Sequence, residues 1–256
     1  MLEPTLPRRV QRIRHTTSRR LLDVLRVERM SPGFIRVVLG GADLAGFTSL
    51  SFDDHLKVFL SPGDGRPDEG SPSDGANMRD FTPRYFDPQR LELTLEFALH
   101  DAGPATEWAE RAAPGQQLTI GGPRGSFVIP TDYDWQLLIG DETALPAIAR
   151  RLEELPPGTT VFSFIQLKDA ADRRELKTQA RLTEKWLSTG PDALAEAVRN
   201  FATPAGEGFA WAAGETKAIG AVRTVLVNTH RLDKDHIRAA AYWKQGEIAH
   251  HENFAD

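Results

Sequence analysis

Cysteine is absent from this chain of 256 residues, and its absence excludes disulfides, thiolate-ligated iron–sulfur clusters, thiolate nucleophiles and dithiol redox centres. Any electron chemistry must come from a bound cofactor. No apolar run approaches the roughly 18 residues of a membrane-spanning helix. The N-terminus also lacks the apolar core and cleavage site of a secretory signal. The sequence therefore predicts a soluble, cytoplasmic protein without membrane insertion. Neither a Gly-x-Ser-x-Gly elbow nor a Walker loop occurs, which leaves hydrolase and nucleoside-triphosphatase chemistry without support. Asp53, Asp54 and His55 form one acid–histidine cluster, and His250, His251 and Glu252 form another. Neither has the i, i+4 spacing of a ligand set, so both read as solvated clusters and no metal site is assigned.

What is present is enough for one large domain or two ordinary ones, at 28.4 kDa and 40% hydrophobic residues. The net charge is −5 but unevenly spread: residues 1–29 carry +5 and the remainder −10. Arginines without interleaved aromatics do not make a nucleic-acid platform, so residues 1–20 read as a basic, solvated tail and lead-in, and no nucleic-acid partner is expected.

Residues 34–39, 56–60, 91–98, 117–120 and 126–129 read as short strands separated by turn signals, the pattern of an antiparallel barrel. Residues 61–78 hold 13 Gly, Pro, Ser or Asp in 18 positions and read as a surface loop. After Pro130 the rhythm changes. WQLLIG (135–140), a helical segment 143–155, VFSFIQL (161–167), a helix 191–201, GFAWAAG (208–214), a helix 217–229 and IRAAAYW (237–243) imply an open parallel sheet with helices on both faces. The expected division is a tail (1–20), a barrel (21–130) and an α/β unit (131–256).

Parallel sheets bind ligands at the carboxyl ends of their strands. Two such ends are legible: Gly140-Asp141-Glu142-Thr143-Ala144 and Gly214-Glu215-Thr216, each running into a helix whose positive end suits phosphate. In the barrel half, Arg79, Phe81 and Thr82 lie in RDFTPR, where a guanidinium, an aromatic on the same side of an extended chain and a hydroxyl are the parts a flavin site needs. His100, Gly103, Ala105 and Thr106 then open a helix with Pro104 in its first turn, a second anion site.

RDFTPR, the His100-x-x-Gly103-Pro104-Ala105-x-x-Trp108 pattern, GGPRGSFVIP, GDETALPAIARRLEELP, the WAAGE turn and the closing AYWKQGE together resemble the siderophore-interacting proteins. These are flavin-dependent ferric-siderophore reductases of the ferredoxin-reductase superfamily. The resemblance runs in order from about Leu21 to Glu252. It implies a six-stranded antiparallel FAD-binding barrel followed by a nicotinamide-binding α/β domain, with NADPH or NADH as electron donor. It also implies that Arg79, Phe81 and Thr82 hold the flavin and that His100, Gly103, Ala105 and Thr106 line its pyrophosphate. Asp141, Glu142, Thr143 and Ala144 would border the cofactors, and Gly214 and Glu215 the nicotinamide nucleotide. Phe81 replaces the family's usual tyrosine, which preserves stacking and removes a phenol hydrogen bond.

Ferric siderophores bury Fe(III) in hard oxygen donors and many are anionic, so a docking surface should be locally basic. Lys57 in HLKVF, Arg124 in GPRG and Lys244 in YWKQG are the candidates. Lys168, Arg173 and Arg174 follow the second parallel strand, where a pocket for a nucleotide 2′-phosphate can form. A flavin reductase with another acceptor and a non-enzymatic siderophore binder are the competing readings; monomer is the default state.

Overall fold

A computed structural model of the chain describes residues 9–60, 78–99, 103–190, 192–246 and 252–254. The expected loop 61–78 falls almost wholly outside these residues, as does His100. Among the described residues no helix is long and apolar enough to cross a membrane.

The C-terminal half is built around β10 (Trp135–Gly140), in which every residue is buried. It lies parallel to and between β11 (Thr160–Leu167) and β13 (Gly208–Glu215). A strand covered on both faces must be apolar on both, which is why WQLLIG shows no alternation. β12 (Arg181–Ser188), β14 (Ile237–Trp243) and a short antiparallel β15 (Glu252–Asn253) complete the order β12-β11-β10-β13-β14-β15. α2 (Leu145–Glu154) packs its apolar stripe on one face of this sheet. α3 (Ala193–Arg199) and α4 (Thr216–Asn228) cover the other through Leu194, Val198, Ile219, Val222 and Leu226.

The N-terminal half is an antiparallel sheet of order β5-β4-β8-β2-β3-β7-β6. Its strands are β2 (Arg19–Ser31), β3 (Phe34–Gly40), β4 (Leu56–Phe59), β5 (Met78–Phe81), β6 (Tyr85–Asp87), β7 (Glu92–Ala98) and β8 (Gln117–Gly121). The sheet thus has seven strands where the resemblance implies six. Alternate residues Leu22, Val24, Val37, Leu39, Leu56, Val58, Leu93, Leu95, Leu118 and Ile120 fill one core beneath it, and α1 (Pro104–Arg111) closes that core with Ala109 and Trp108. The expected basic tail is also partly structured. Residues 11–14 form β1 (Gln11–Arg14), paired with β9 (Gly125–Val128), and Arg19 already belongs to β2.

The two halves share a core in which Phe34, Phe52 and Ile129 pack with Leu145, Ile148 and Trp211. Charged groups cross the same boundary. Arg150 of α2 donates to Ser49 Oγ (2.8 Å) and to the carbonyl of Pro83 (2.7 Å), and Arg84 pairs with Glu153 at 2.6 Å. Glu96, with a fully buried side chain, takes Arg36 at 2.8 Å and Arg84 at 3.4 Å from its own half and Arg174 at 2.6 Å from the other. Burial works to raise its pKa, but the three guanidiniums outweigh burial and hold it below the ordinary value. Asp172 accepts from Ser31 Oγ and from the Gly33 amide, both at 2.7 Å.

Candidate functional site

Two of the residues read as solvated are interior. Asp53 and Asp54 are 5% and 2% exposed. Asp53 accepts from Trp211 Nε1 (2.7 Å) and Arg238 Nε (2.9 Å), which neutralises a carboxylate at the junction. Asp54 accepts from the Ser51 amide, Ser49 Oγ and Ser126 Oγ, and burial still raises its pKa. The burial of Asp53 was invisible in the sequence because its donors lie 158 and 185 positions away along the chain. His250 and His251 lie outside the described residues.

On the barrel side, Arg79 and Phe81 sit two apart on β5 and share its core-facing side. The Phe81 ring lies 4.3 Å from Phe97, which lies 5.3 Å from Trp108 of α1, so three aromatics tie β5 to α1. Arg79 donates from Nη1 to the Met78 carbonyl at 2.8 Å, and burial lowers its pKa. Thr82, buried, hydrogen-bonds the Tyr242 phenol, whose pKa burial and the Asp53 carboxylate raise well above the ordinary value. Gly103 stands immediately before α1 with extended backbone and no side-chain cap, Pro104 follows, and a Cβ at Gly103 would meet no atom within 4 Å. The first-turn amides at Ala105 and Thr106 therefore start a helix with no carboxylate or hydroxyl from position 103 to satisfy them.

On the α/β side the strand ends behave differently. Asp141 Oδ1 accepts from Thr143 through its amide (2.9 Å) and hydroxyl, while Oδ2 accepts from the Glu215 amide and Trp243 Nε1, both at 2.8 Å. One carboxylate thereby joins the ends of β10, β13 and β14. Ala144 precedes α2 and is fully buried. Gly214 has φ +149°, and a Cβ there would stand 2.5 Å from Asp141 Oδ2, so glycine is required. Glu215 caps α4, its Oε2 accepting from the amides of Lys217 (2.6 Å) and Ala218 (3.0 Å).

Glu142 is different again. Burial first, and the neighbouring Asp141 second, push its carboxyl up to about 7, with Lys168 opposing. It faces an open cleft of about 330 Å³ shared with Pro32, Gly33, Leu99, Lys168, Asp169 and Asp172. The other two cations considered for that region are committed elsewhere: Arg173 pairs with Glu184 at 3.2 Å, and Arg174 with Glu96.

Of the basic trio, Lys57 lies on β4 and its Nζ reaches Asp80 Oδ2 at 2.7 Å. Arg124 is exposed between β8 and β9, with its carbonyl held by the His15 amide at 2.9 Å. Lys244 follows β14, two residues after Tyr242, and Tyr242 feels the charge of Asp80. The residues that sequence reasoning missed are Tyr242, Trp243 and Arg238. Their only signal was membership of the apolar terminal strand, which says nothing of the polar atoms at their tips.

Residues 23–127 match the family described as siderophore-interacting FAD-binding domain, and residues 133–246 the family described as siderophore-interacting protein. The chain is 39% identical over 249 residues to an NADPH-dependent ferric-chelate reductase of Escherichia coli, covering 93% of this chain and 97% of that one. It is 32% identical over 257 residues to the ferric vibriobactin reductase ViuB of Vibrio cholerae, covering 91% and 93%. Among solved structures, a siderophore utilization protein from T. fusca superimposes with a TM-score of 0.83 at 35% identity, covering 94% of this chain and 97% of that one.

Proposed function

The chain belongs to the siderophore-interacting protein family, and from that premise we propose how its residues carry out flavin-dependent reduction of ferric siderophores. Residues 21–130 act as the FAD-binding unit and 131–256 as the NAD(P)H-binding unit. NADPH is the donor we favour, by similarity to the E. coli relative. FAD, when bound, supplies the exchange between a two-electron hydride donor and a one-electron acceptor. Each NADPH then accounts for two Fe(III) reduced to Fe(II), with NADP⁺ and one proton released.

The residues fit that cofactor. Arg79 shares the side of β5 that Phe81, Phe97 and Trp108 tie to α1, and α1 starts with glycine at position 103 and Pro104 in its first turn. A guanidinium and a helix N-terminus on one side of a sheet are what a pyrophosphate requires. This pairing is the observation that carries the reading. Thr82 presents a buried hydroxyl for the flavin's polar edge, and Phe81 an aromatic face. Asp141 holds three strand ends together as a rigid floor for the nicotinamide nucleotide, and the Gly214 backbone gives it close approach. Glu142, whose carboxyl burial pushes up to about 7, brings less negative charge to the cleft at neutral pH than an ordinary glutamate would.

Lys57, Arg124 and Lys244 dock the ferric siderophore, the substrate. No proton transfer at iron is needed. Fe(II) is a poorer partner for hard oxygen donors, so reduction loosens the chelate and releases the metal. We place the protein in the cytoplasm, as a monomer.

The test is an absorption spectrum of the purified protein, repeated anaerobically with NADPH and then with a ferric siderophore and an Fe(II) trap. A band near ~450 nm that bleaches with NADPH and returns as Fe(II) appears is the expected result (flavin chemistry,). A protein that neither carries nor binds flavin overturns the assignment of Arg79, Phe81 and Thr82. Bleaching without reoxidation by the chelate overturns the acceptor.

A further inference from the structure

The bond between Tyr242 and Thr82 arises from an irregularity in the parallel sheet. β13 and β14 pair residue for residue from Ala210 and Ile237 as far as Gly214 and Ala241; Glu215 then stands opposite Trp243, so Tyr242 is the extra residue of a bulge. A bulge bends its strand and re-aims a side chain. Its place is fixed by Gly214, whose close approach to Asp141 admits no side chain, and by Trp243, whose indole donates to the same carboxylate at 2.8 Å. Ala239, Ala240 and Ala241 stay buried within the α/β half. Tyr242 instead crosses to the barrel half and meets Thr82, the residue that follows β5.

The ring is anchored and its proton is accounted for. It meets Trp211 edge to face, with centroids 6.3 Å apart and planes at 77°, and the Trp211 indole is itself held by Asp53 at 2.7 Å. The Asp53 and Asp80 carboxylates favour the protonated phenol, and Arg238 opposes them. Neither carboxylate takes the phenol hydrogen. Asp53 holds Trp211 and Arg238; Asp80 Oδ2 holds Lys57, and Asp80 Oδ1 has no hydrogen bond. The phenol's partner is the Thr82 hydroxyl. A phenol is a far stronger acid than an aliphatic hydroxyl, so the stronger arrangement has Tyr242 donating to Thr82 Oγ1. The hydrogen of Thr82 is then left for another acceptor, and Thr82, being buried, offers it to a bound group rather than to bulk water.

We propose that Tyr242 is a positioning residue for the flavin: its phenol donates to Thr82 Oγ1 and so leaves the Thr82 hydrogen for an acceptor on the flavin's polar edge. This rests on the placement of Thr82 at that edge given above. The reduced flavin is the more electron-rich form and gains more from a fixed donor than the oxidised form does. Without the phenol, Thr82 is free to turn its hydrogen away. The same bulge carries Trp243, which holds the carboxylate joining the strand ends under the nicotinamide nucleotide, so one irregularity ties the flavin's donor to the floor of the second cofactor.

The experiment measures how readily the flavin of the full-length, FAD-loaded protein is reduced, by equilibration with a dye of known potential. The unaltered chain, Thr82→Val and Thr82→Ser are compared, each with and without Tyr242→Phe, and thermal melts of the flavin-free proteins serve as the folding control. Tyr242→Phe is expected to shift the equilibrium against reduction about three- to tenfold, tenfold being about 30 mV for a two-electron couple. In the Thr82→Val background the same change should shift it by less than about twofold, and in Thr82→Ser, which keeps the hydroxyl, by the full amount. A merely structural loss acts equally in all three backgrounds. No shift with Tyr242→Phe, a shift toward reduction, or equal shifts with and without the hydroxyl at position 82 overturns the inference, and bound FAD that still responds to Thr82→Val leaves the flavin reading standing. Bound FAD that ignores Thr82→Val removes Thr82 from the flavin's edge and the inference with it, as does a chain that binds no FAD. Should Tyr242→Phe fail its melt, replacement of all three tyrosines by 3-fluorotyrosine, a stronger donor, takes its place. It should favour reduction in the unaltered chain and not in Thr82→Val; an equal response in both overturns the inference.

Discussion

The starts of α4 and α1 differ in what stands before the helix. At α4 the amides are satisfied from within, because Glu215 caps them and Asp141 holds the Glu215 amide in turn. At α1 the position before the helix is a glycine that offers no cap, in space that a side chain could enter. A helix whose first amides are held by its own cap has little left for a phosphate. The start of α4 is capped by its own side chain; that of α1 is the one proposed to meet the pyrophosphate. Both were legible as helix starts with suitable residues, and only their partners tell them apart.

The largest effect should come from the hub of the closed arrangement. Asp141→Ala strands the Trp243 indole and the amides of Glu215 and Thr143 together, and should cost about 3–5 kcal/mol in urea unfolding of the flavin-free protein, since hydrogen bonds to charged groups contribute about 1.5–3 kcal/mol each and do not add fully. A loss under about 1 kcal/mol would mean that the three strand ends hold together without it.

Next comes Glu142, the acid in the same turn whose carboxyl burial pushes up to about 7. Its folded pKa of about 7 lies above its usual value of 4.5. The stability this contributes is fully present below pH 4.5 and is lost as pH rises through 7, because the unfolded chain releases the proton first. Glu142→Gln, which cannot ionise, should gain on the unaltered chain by about 2–3 kcal/mol between pH 4.5 and 8. Melting curves at pH 5 and pH 8 decide it: an equal difference at both values sinks the account.

At α1, Gly103→Asp places a carboxylate at the position before the helix, where the backbone is extended and a Cβ meets no atom within 4 Å. Folding stability should move by only a few tenths of a kcal/mol, because glycine is itself a tolerated cap. FAD affinity, by titration of the flavin-free protein, should fall about tenfold or more, equivalent to about 1.4 kcal/mol. Unchanged FAD affinity would place the pyrophosphate elsewhere. The smallest effect is expected for Glu215→Ala, about 1 kcal/mol of stability from a lost cap. If that variant instead bound phosphate at α4 and kept its stability, the contrast between the two starts would disappear.

The parallel sheet was the most readable part of the molecule. WQLLIG, VFSFIQL, GFAWAAG and IRAAAYW are apolar throughout because both faces are covered, and they match β10, β11, β13 and β14 to within a residue or so at either end. β12 escaped notice because RLTEKWLS is an edge strand, largely exposed, and carries no periodic apolar signal. β2 was hidden for a related reason: its outward positions mix charge with leucine (Arg19, Leu21, Asp23, Leu25), and the run of arginines ahead of it reads as a tail until β8 is seen to pair with it. The site was legible as residue types at strand ends and helix starts. What the sequence withheld were pairings over long separations. Arg174 looked like a phosphate ligand until Glu96 claimed it across 78 positions, and Asp53 looked solvated until Arg238 met it across 185. Nothing local distinguishes a committed charge from an available one.

The charges shared across the junction also bear on how such proteins recombine. Asp53 meets Arg238, Glu96 adds Arg174 to the two arginines of its own half, and Asp172 accepts from Ser31 and the Gly33 amide, so each half holds interior groups that the other half helps to satisfy. A chimera cut near residue 130 inherits one member of each pair from either parent, and fails wherever the parents solved the junction differently. The two halves look like exchangeable modules, yet they are heritable only as a matched set, and variants that trade one half should be sought first among relatives that keep all three pairs.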